Sequence, residues 1–415
     1  MSEKATPPLP PERFRKSEVP PLEGRKEELS ASVFPSVVTP KRPPVAKAYS
    51  PEIMAMVDEL LGYIGDDECT EVLINGHKDV SRKVRGVRYH CNKIDFQNVE
   101  LYHNILNDIL LSYTDTAERI DGHNAVIEGQ LSLPSEDKYT TPMLARVHIV
   151  APPGVREAKV TIAKKSREDL NLDDLVQNGA VSQNGAEFLK AIARGRETFV
   201  VAGPTGAGKT TTLQAITHYF DENDRVVVIE ETPELRLPLG DVVYLRATLQ
   251  KPGMSPSQIY TLEFWAKQAN RMRMDRVIVG ETRGGEMSDW LLAANSGADG
   301  SATTVHANSP RRALDKILGL ATKGEKTTSE LQLRREIANT ISIIVQCGLV
   351  DHRHVILGIE EISKTVSQAS GQIQTNTLFE FDKVKGKMVA KSRPSDELLK
   401  SLAYSGVEVN PNWFN

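Results

Sequence analysis

The stretch that decides the fold is TFVVAGPTGAGKTTT, Thr198 to Thr212. It opens on apolar and β-branched residues, as a buried strand does, then places three glycines in six residues and runs on into a helical pattern, TTTLQAITHYF. Glycines let consecutive backbone N–H groups turn inward around an anion without Cβ clashes. The helix that follows adds the partial positive charge of its N-terminus. A strand before and a helix after are the context that Gly203-x-x-x-x-Gly208-Lys209-Thr210 requires to act as a phosphate cradle. Gly203, Pro204, Thr205, Gly206, Ala207 and Gly208 form its wrapping turn, and Thr211 extends its first helical turn. Lys209 reaches the β- and γ-phosphates as a point charge, and Thr210 offers its hydroxyl to Mg²⁺. Alone, the motif specifies binding of a nucleotide such as ATP with its Mg²⁺, and nothing about turnover.

Two further strands point acid toward such a cradle. In DRVIVGETRGGE the apolar run Val277–Val279 is followed by Gly280 and Glu281. Ligands sit beyond the carboxyl ends of strands in open α/β sheets. A carboxylate there can orient or deprotonate an attacking water. In VVVIEETPELRLP a second strand ends in Glu230 and Glu231. Two acid-tipped strands beside one phosphate loop suggest a metal-and-water site, with Glu230 and Glu231 in supporting or metal-water contacts.

The remainder of the chain sets the frame. With 415 residues, two or three domains are expected. A composition 40% hydrophobic and 26% charged is ordinary for a globular protein, and a net charge of −4 argues against bulk attraction to nucleic acid or membrane. No apolar run approaches the ~20 residues of a membrane span, and MSEKATPPLPPERFRK has no hydrophobic signal core. A cytoplasmic location is expected. Cys69, Cys91 and Cys347 fit neither a zinc spacing nor a disulfide framework.

Ten of the 23 prolines precede Ser50, so residues 1–50 read as a disordered or extended arm. Residues 51–165 mix helical runs (IMAMVDELLGYI, VELYHNILNDILLSY) with short strands (TEVLING, LARVHIVAPP, AKVTIA) and read as a smaller α+β domain. Residues 166–190 form a linker and leading helix. From 191 to 362 short β-branched runs alternate with helical patterns, as in a parallel sheet with crossover helices. Residues 363–415 read as a strand and helix tail. DHRH, residues 351–354, looks like a metal cluster but lies between two strand-like runs and reads as a turn.

Taken together these motifs resemble the hexameric traffic ATPases of type II and type IV secretion, conjugation and pilus assembly. The closest likeness is to the type IV secretion and tight-adherence-pilus branch. The phosphate loop GPTGAGKT, an acidic box IEETPEL, the Walker B segment VIVGETRGGE and a histidine box GADGSATTVHANSP stand in family order over about Leu170 to Ile362. The fold so implied is α/β, a RecA-like P-loop ATPase domain with a mainly parallel sheet behind the smaller N-terminal domain. The resemblance gives His306 a place near the γ-phosphate and treats Gly300, Ser301 and Ala302 as small residues that let its strand approach the nucleotide. It implies that Arg119 and Arg146 approach nucleotide bound between domains or subunits. Arg283 is expected in an ion pair near the site. The chain departs from its relatives at Ala163 and Lys164, and near Leu249 only Arg246 and Lys251 are basic. Also implied are a closed homo-oligomer of six subunits, docking on inner-membrane secretion or pilus assembly proteins and a coupling ATPase, and no sequence-specific nucleic acid. The alternatives are a pilus extension or retraction motor, a nucleic-acid motor, or a nucleotide-binding module without turnover.

Overall fold

The computed structural model describes residues 49–414, apart from 67, 85–86, 117, 134–142, 165–168, 249–258, 326, 368 and 370. Nearly all of the proline-rich arm and Lys251 lie outside the described residues. The described chain forms two sheets, each with its own apolar core.

The first sheet is antiparallel. Helix α1 (Pro51–Gly65) begins where its sequence says it should. The Ser50 hydroxyl accepts from Ile53 N, Pro51 occupies the first turn, and Val57, Leu60 and Ile64 face the core. Strands β1 (Cys69–Ile74), β2 (Val80–Val84), β3 (Val87–His90), β4 (Val126–Leu133), β5 (Met143–Val150) and β6 (Lys159–Lys164) lie in the order β3-β2-β1-β6-β5-β4. The expected single helix over VELYHNILNDILLSY is α only across α2 (Val99–Ile105), then widens to a π turn at 106–110 and tightens to 3-10 through Tyr113. Leu106, Ile109, Leu110, Leu111 and Tyr113 are all buried, a wider apolar arc than a regular 3.6-residue turn presents on one side.

The second unit begins with α3 (Leu172–Gln177) and α4 (Gln183–Arg194). Strand β7 (Phe199–Gly203) feeds α5 (Lys209–Thr217), followed by β8 (Arg225–Glu230), β9 (Asp241–Arg246), α6 (Leu262–Ala269), β10 (Arg276–Val279), α7 (Glu286–Ala294) and β11 (Ala302–His306). Then come α8 (Pro310–Gly324), α9 (Glu330–Thr340), β12 (Ile343–Val350), β13 (Arg353–Val366), β14 (Ile373–Asp382), β15 (Lys387–Ala390) and α10 (Asp396–Tyr404). The nine strands lie in the order β15-β14-β13-β12-β7-β11-β10-β8-β9. From β12 to β9 neighbours are parallel; from β12 to β15 they are antiparallel. Strands β7 and β10 are buried at every position, which is why they read as unbroken apolar runs. One face packs on α4, α5 and α10, with Phe188, Leu213 and Leu402 in the core; the other packs on α6 to α9, with Trp290, Ile317 and Ile337. Residues beyond 363 thus continue the same sheet and close one of its faces. Asp351 and His352 (φ 49° and 63°) make the two-residue turn between β12 and β13, in the left-handed geometry that hairpins favour.

One edge of this sheet is tied by buried charge. Arg276, at the start of β10, is fully buried. Its Nε donates to Asp224 Oδ2 at 2.5 Å, its two terminal nitrogens donate to the Gly300 and Ala193 carbonyls, and its guanidinium lies 4.0 Å from the centre of the Phe220 ring. Asp224 also accepts from Arg196 at 2.7 Å. A bridge from Asp115 Oδ2 to Arg246, 2.6 Å long, joins the first unit to the end of β9.

Candidate active site at the phosphate loop

Strand register builds the site. Gly203 at the end of β7 pairs with His306 at the end of β11, and Ile229 of β8 pairs with Val279 of β10. The residues that follow, Glu230, Gly280 and Glu281, therefore emerge along the same edge as the phosphate loop. Gly206 and Gly208 take φ of +72° and +82°, a conformation that L side chains rarely adopt. Gly203 is glycine for a different reason. A Cβ there would stand 2.9 Å from the Cys347 carbonyl oxygen and 3.2 Å from Ala207 Cβ. Gly203→Ala is expected to cost about 1–3 kcal/mol, read as a lowered melting temperature, because the obstacle is backbone that cannot turn aside.

Lys209 is buried at the first turn of α5. Its Nζ donates to the Pro204 carbonyl at 3.1 Å and lies 3.2 Å from His306 Nδ1. Burial pushes its pKa down, and the nearby Glu281 carboxylate opposes that shift. Thr205 Oγ1 is 3.5 Å from the same Nδ1. With two donors facing Nδ1, the neutral ring carries its proton on Nε2, an assignment made from those neighbours. That Nε2 lies 2.7 Å from Glu281 Oε1, in polar contact but not aligned as a full hydrogen bond, so the buried Oε1 keeps lone-pair capacity. Arg283 binds Glu281 Oε2 at 2.7 Å and Glu231 Oε2 at 3.2 Å, the ion pair expected of it. Burial alone raises the Glu281 carboxyl; the contacts from His306 and Arg283 outweigh it and hold the group at about 2.

The other residues singled out in the sequence take different places. Glu230 is engaged by the backbone of the loop that follows it. Its Oε1 accepts from the backbone N–H of Glu234 and Leu235, each at 3.1 Å, and its Cγ would touch a Cβ at Gly280. It shapes the acidic loop. Thr210 and Thr211 lie in the first turn of α5. Arg119 is engaged by Asp108 (2.9 Å) and Arg146 by Glu128 (3.6 Å), both within the N-terminal unit, and no described contact brings either to Lys209. Arg246 is taken up by Asp115. Gly300 and Ser301 do not border the nucleotide side, which corrects the reading of the histidine box. They precede β11 at the end opposite His306, about 20 Å away at ~3.3 Å per residue. Gly300 (φ +79°) leaves room for the Arg276 guanidinium, and the Ser301 hydroxyl accepts from Val277 N at 2.9 Å.

Glu286 escaped sequence reasoning. It is buried at the start of α7 and accepts from the backbone N–H of Arg283 and Gly284, fixing the loop that presents Arg283. An acid at a helix N-terminus was the available signal.

The arrangement suits a triphosphate: a glycine turn leading into a helix N-terminus, a buried ammonium, and a carboxylate one histidine away from it. Among the described residues no group of three or more His, Cys, Asp or Glu is arranged to hold a metal alone. Mg²⁺ commonly arrives on substrate phosphates and keeps several waters, and one threonine hydroxyl with one carboxylate at second remove is a donor set of that kind. No helix among the described residues is long and apolar enough to cross a membrane.

Comparison with known proteins agrees. The family described as type II/IV secretion system protein matches residues 128–379. An uncharacterized protein of Methanocaldococcus jannaschii is 31% identical over 244 residues, 57% of this chain but only 32% of that protein. A putative conjugal transfer protein of Mycobacterium tuberculosis is 31% identical over 271 residues, 64% of this chain and 72% of that one. Among solved structures, the Legionella pneumophila ATPase DotB superposes with a TM-score of 0.53 at 19% identity, over 78% of this chain and 84% of that one, a likeness of fold.

Proposed function

The chain belongs to the type II/IV secretion system protein family, a family of traffic ATPases, and on that premise we propose that it is the Mg²⁺-dependent ATP-hydrolysing motor of a type IV secretion or conjugation system. It works as a hexameric ring on the cytoplasmic face of the inner membrane, against secretion or pilus assembly proteins. The observation that carries this reading is the convergence of Glu281 and His306 on Lys209, through contacts of 2.7 and 3.2 Å, at the mouth of the phosphate loop.

Lys209 and the N–H groups of the loop hold the phosphates, and Thr210 would hold Mg²⁺, which would supply positive charge against the phosphate oxygens. Glu281 orients the attacking water and takes its proton. When phosphate draws Lys209 away, His306 loses the donor at its Nδ1 and the ring is freed to turn, which makes it a reporter of the γ-phosphate. Glu231 steadies Arg283, and Glu230 steadies the acidic loop. Arg119 and Arg146 reach nucleotide from a domain that closes on it, within the chain or across a subunit boundary.

The test is phosphate release by the purified full chain, with native mass recorded with and without a non-hydrolysable ATP analogue. Turnover together with a six-subunit mass in the analogue supports the reading. A monomer in both states, or no Mg²⁺-dependent release, defeats it. The pH profile gives a second check. Arg283 and His306 together hold Glu281 down against burial, so Arg283→Gln removes part of that hold and raises the carboxyl's pKa while His306 still opposes the rise. The acid limb of kcat/KM is expected to move upward in that variant, with activity lost at a higher pH as the medium is acidified. An unmoved limb would show that Glu281 does not set it.

A further inference from the structure

Strand β12 is apolar from Ile343 to Val345 and then carries Gln346, a buried amide only 3% exposed. Gln346 pairs with Ala202 of β7. On the other flank of β7, Gly203 pairs with His306. The Gln346 Nε2 donates to the Ala307 carbonyl at 3.1 Å, so the side chain crosses the tip of β7 and fastens the residue that follows His306. A second, local contact runs from Nε2 to the Cys347 carbonyl at 3.2 Å. Its Oε1 is buried with no hydrogen-bond partner among the described residues. A buried amide in an apolar strand is costly unless its hydrogen bonds are made. Here the one long-range bond goes to the chain that presents His306, and the acceptor half of the amide's capacity is unmet among the described residues.

We propose that Gln346 is a positioning residue: by holding the Ala307 carbonyl across the tip of β7, it sets where His306 stands relative to Lys209 and Glu281. The same brace links the histidine to β12, and so to the β12–β13 hairpin, whose His354 ring lies against Gly208 of the phosphate loop. This inference rests on the ATPase reading and deepens it.

The test is a double-mutant cycle in the full chain. Gln346→Met keeps the length of the side chain and removes its donor. Melting temperature, affinity for a fluorescent ATP analogue, and kcat are measured for Gln346→Met, His306→Ala and the two together. A displaced catalytic group can cost about 10- to 100-fold, so kcat of Gln346→Met is expected to fall by that much, with affinity for the analogue within about threefold of wild type. If Gln346 acts through His306, the double variant is as slow as the slower single and no slower. Losses that multiply, or a Gln346→Met variant with wild-type kcat, overturn the proposal. Should Gln346→Met not fold, Gln346→Asn keeps the amide one methylene too short to reach Ala307 and carries the same expectations. If neither folds, Gln346 belongs to the core alone and the proposal is lost. An inactive wild-type chain overturns the ATPase reading and this inference with it, whereas an active one with multiplied losses overturns this inference only.

Discussion

Glu281→Gln is expected to lower kcat by about 10²- to 10⁴-fold while leaving ATP binding nearly intact. The amide has the shape of the carboxylate and can still accept from Arg283, but it cannot take a proton from water. On the rate scale this is about 3–5 kcal/mol of lost transition-state stabilisation. Phosphate release measured beside titration with a fluorescent nucleotide separates the two effects. The binding elements, Lys209 and the loop backbone, are held by the Pro204 carbonyl and by glycine geometry, neither of which involves Glu281 directly. Near wild-type turnover in this variant would remove Glu281 from the role of base. Lost binding together with a lowered melting temperature would instead mark the carboxylate as a structural partner of Arg283.

The second large effect is on stability. Asp224→Ala is expected to destabilise the chain by about 3–5 kcal/mol, because it strands a buried guanidinium. Arg276 is fully buried, and Asp224, whose side chain is 4% exposed, is the carboxylate bound to it. The Gly300 and Ala193 carbonyls and the Phe220 face would remain, but they cannot neutralise a full charge. Arg196 would lose its 2.7 Å partner as well. For a unit of this size the loss corresponds to a fall in melting temperature of roughly 6–20 °C. A change of less than about 1 kcal/mol would show that water reaches Arg276 and that the knot is not closed.

Much of the site could be read from the sequence because its chemistry is local. The phosphate loop needs glycines at fixed offsets, and the strand ends before Glu230 and Glu281 announce themselves as apolar runs cut off by acid. His306 was found by the company it keeps. What stayed hidden depends on register and on long-range contact. Nothing in ISIIVQCGLV shows that Gln346 will span a neighbouring strand, because that needs β12 to lie beside β7 and not beside β11. The bridge from Asp115 to Arg246 joins residues 131 positions apart. Gly300 was misread for a related reason. A small residue near a functional histidine suggests close approach to a ligand, yet the strand between them carries it to the far edge, where an arginine needs the room. The π turn after α2 was missed because a helical period over apolar residues does not reveal that too many of them seek the core.

The buried knot around Arg276 and the cluster around Lys209 stand at opposite margins of one sheet. Strand β10 begins in the first and hands Glu281 to the second, five residues further on. The carboxylate is thus seated from behind: its place at one margin is fixed by an anchorage at the other, and whatever loosens that anchorage is felt where the acid stands.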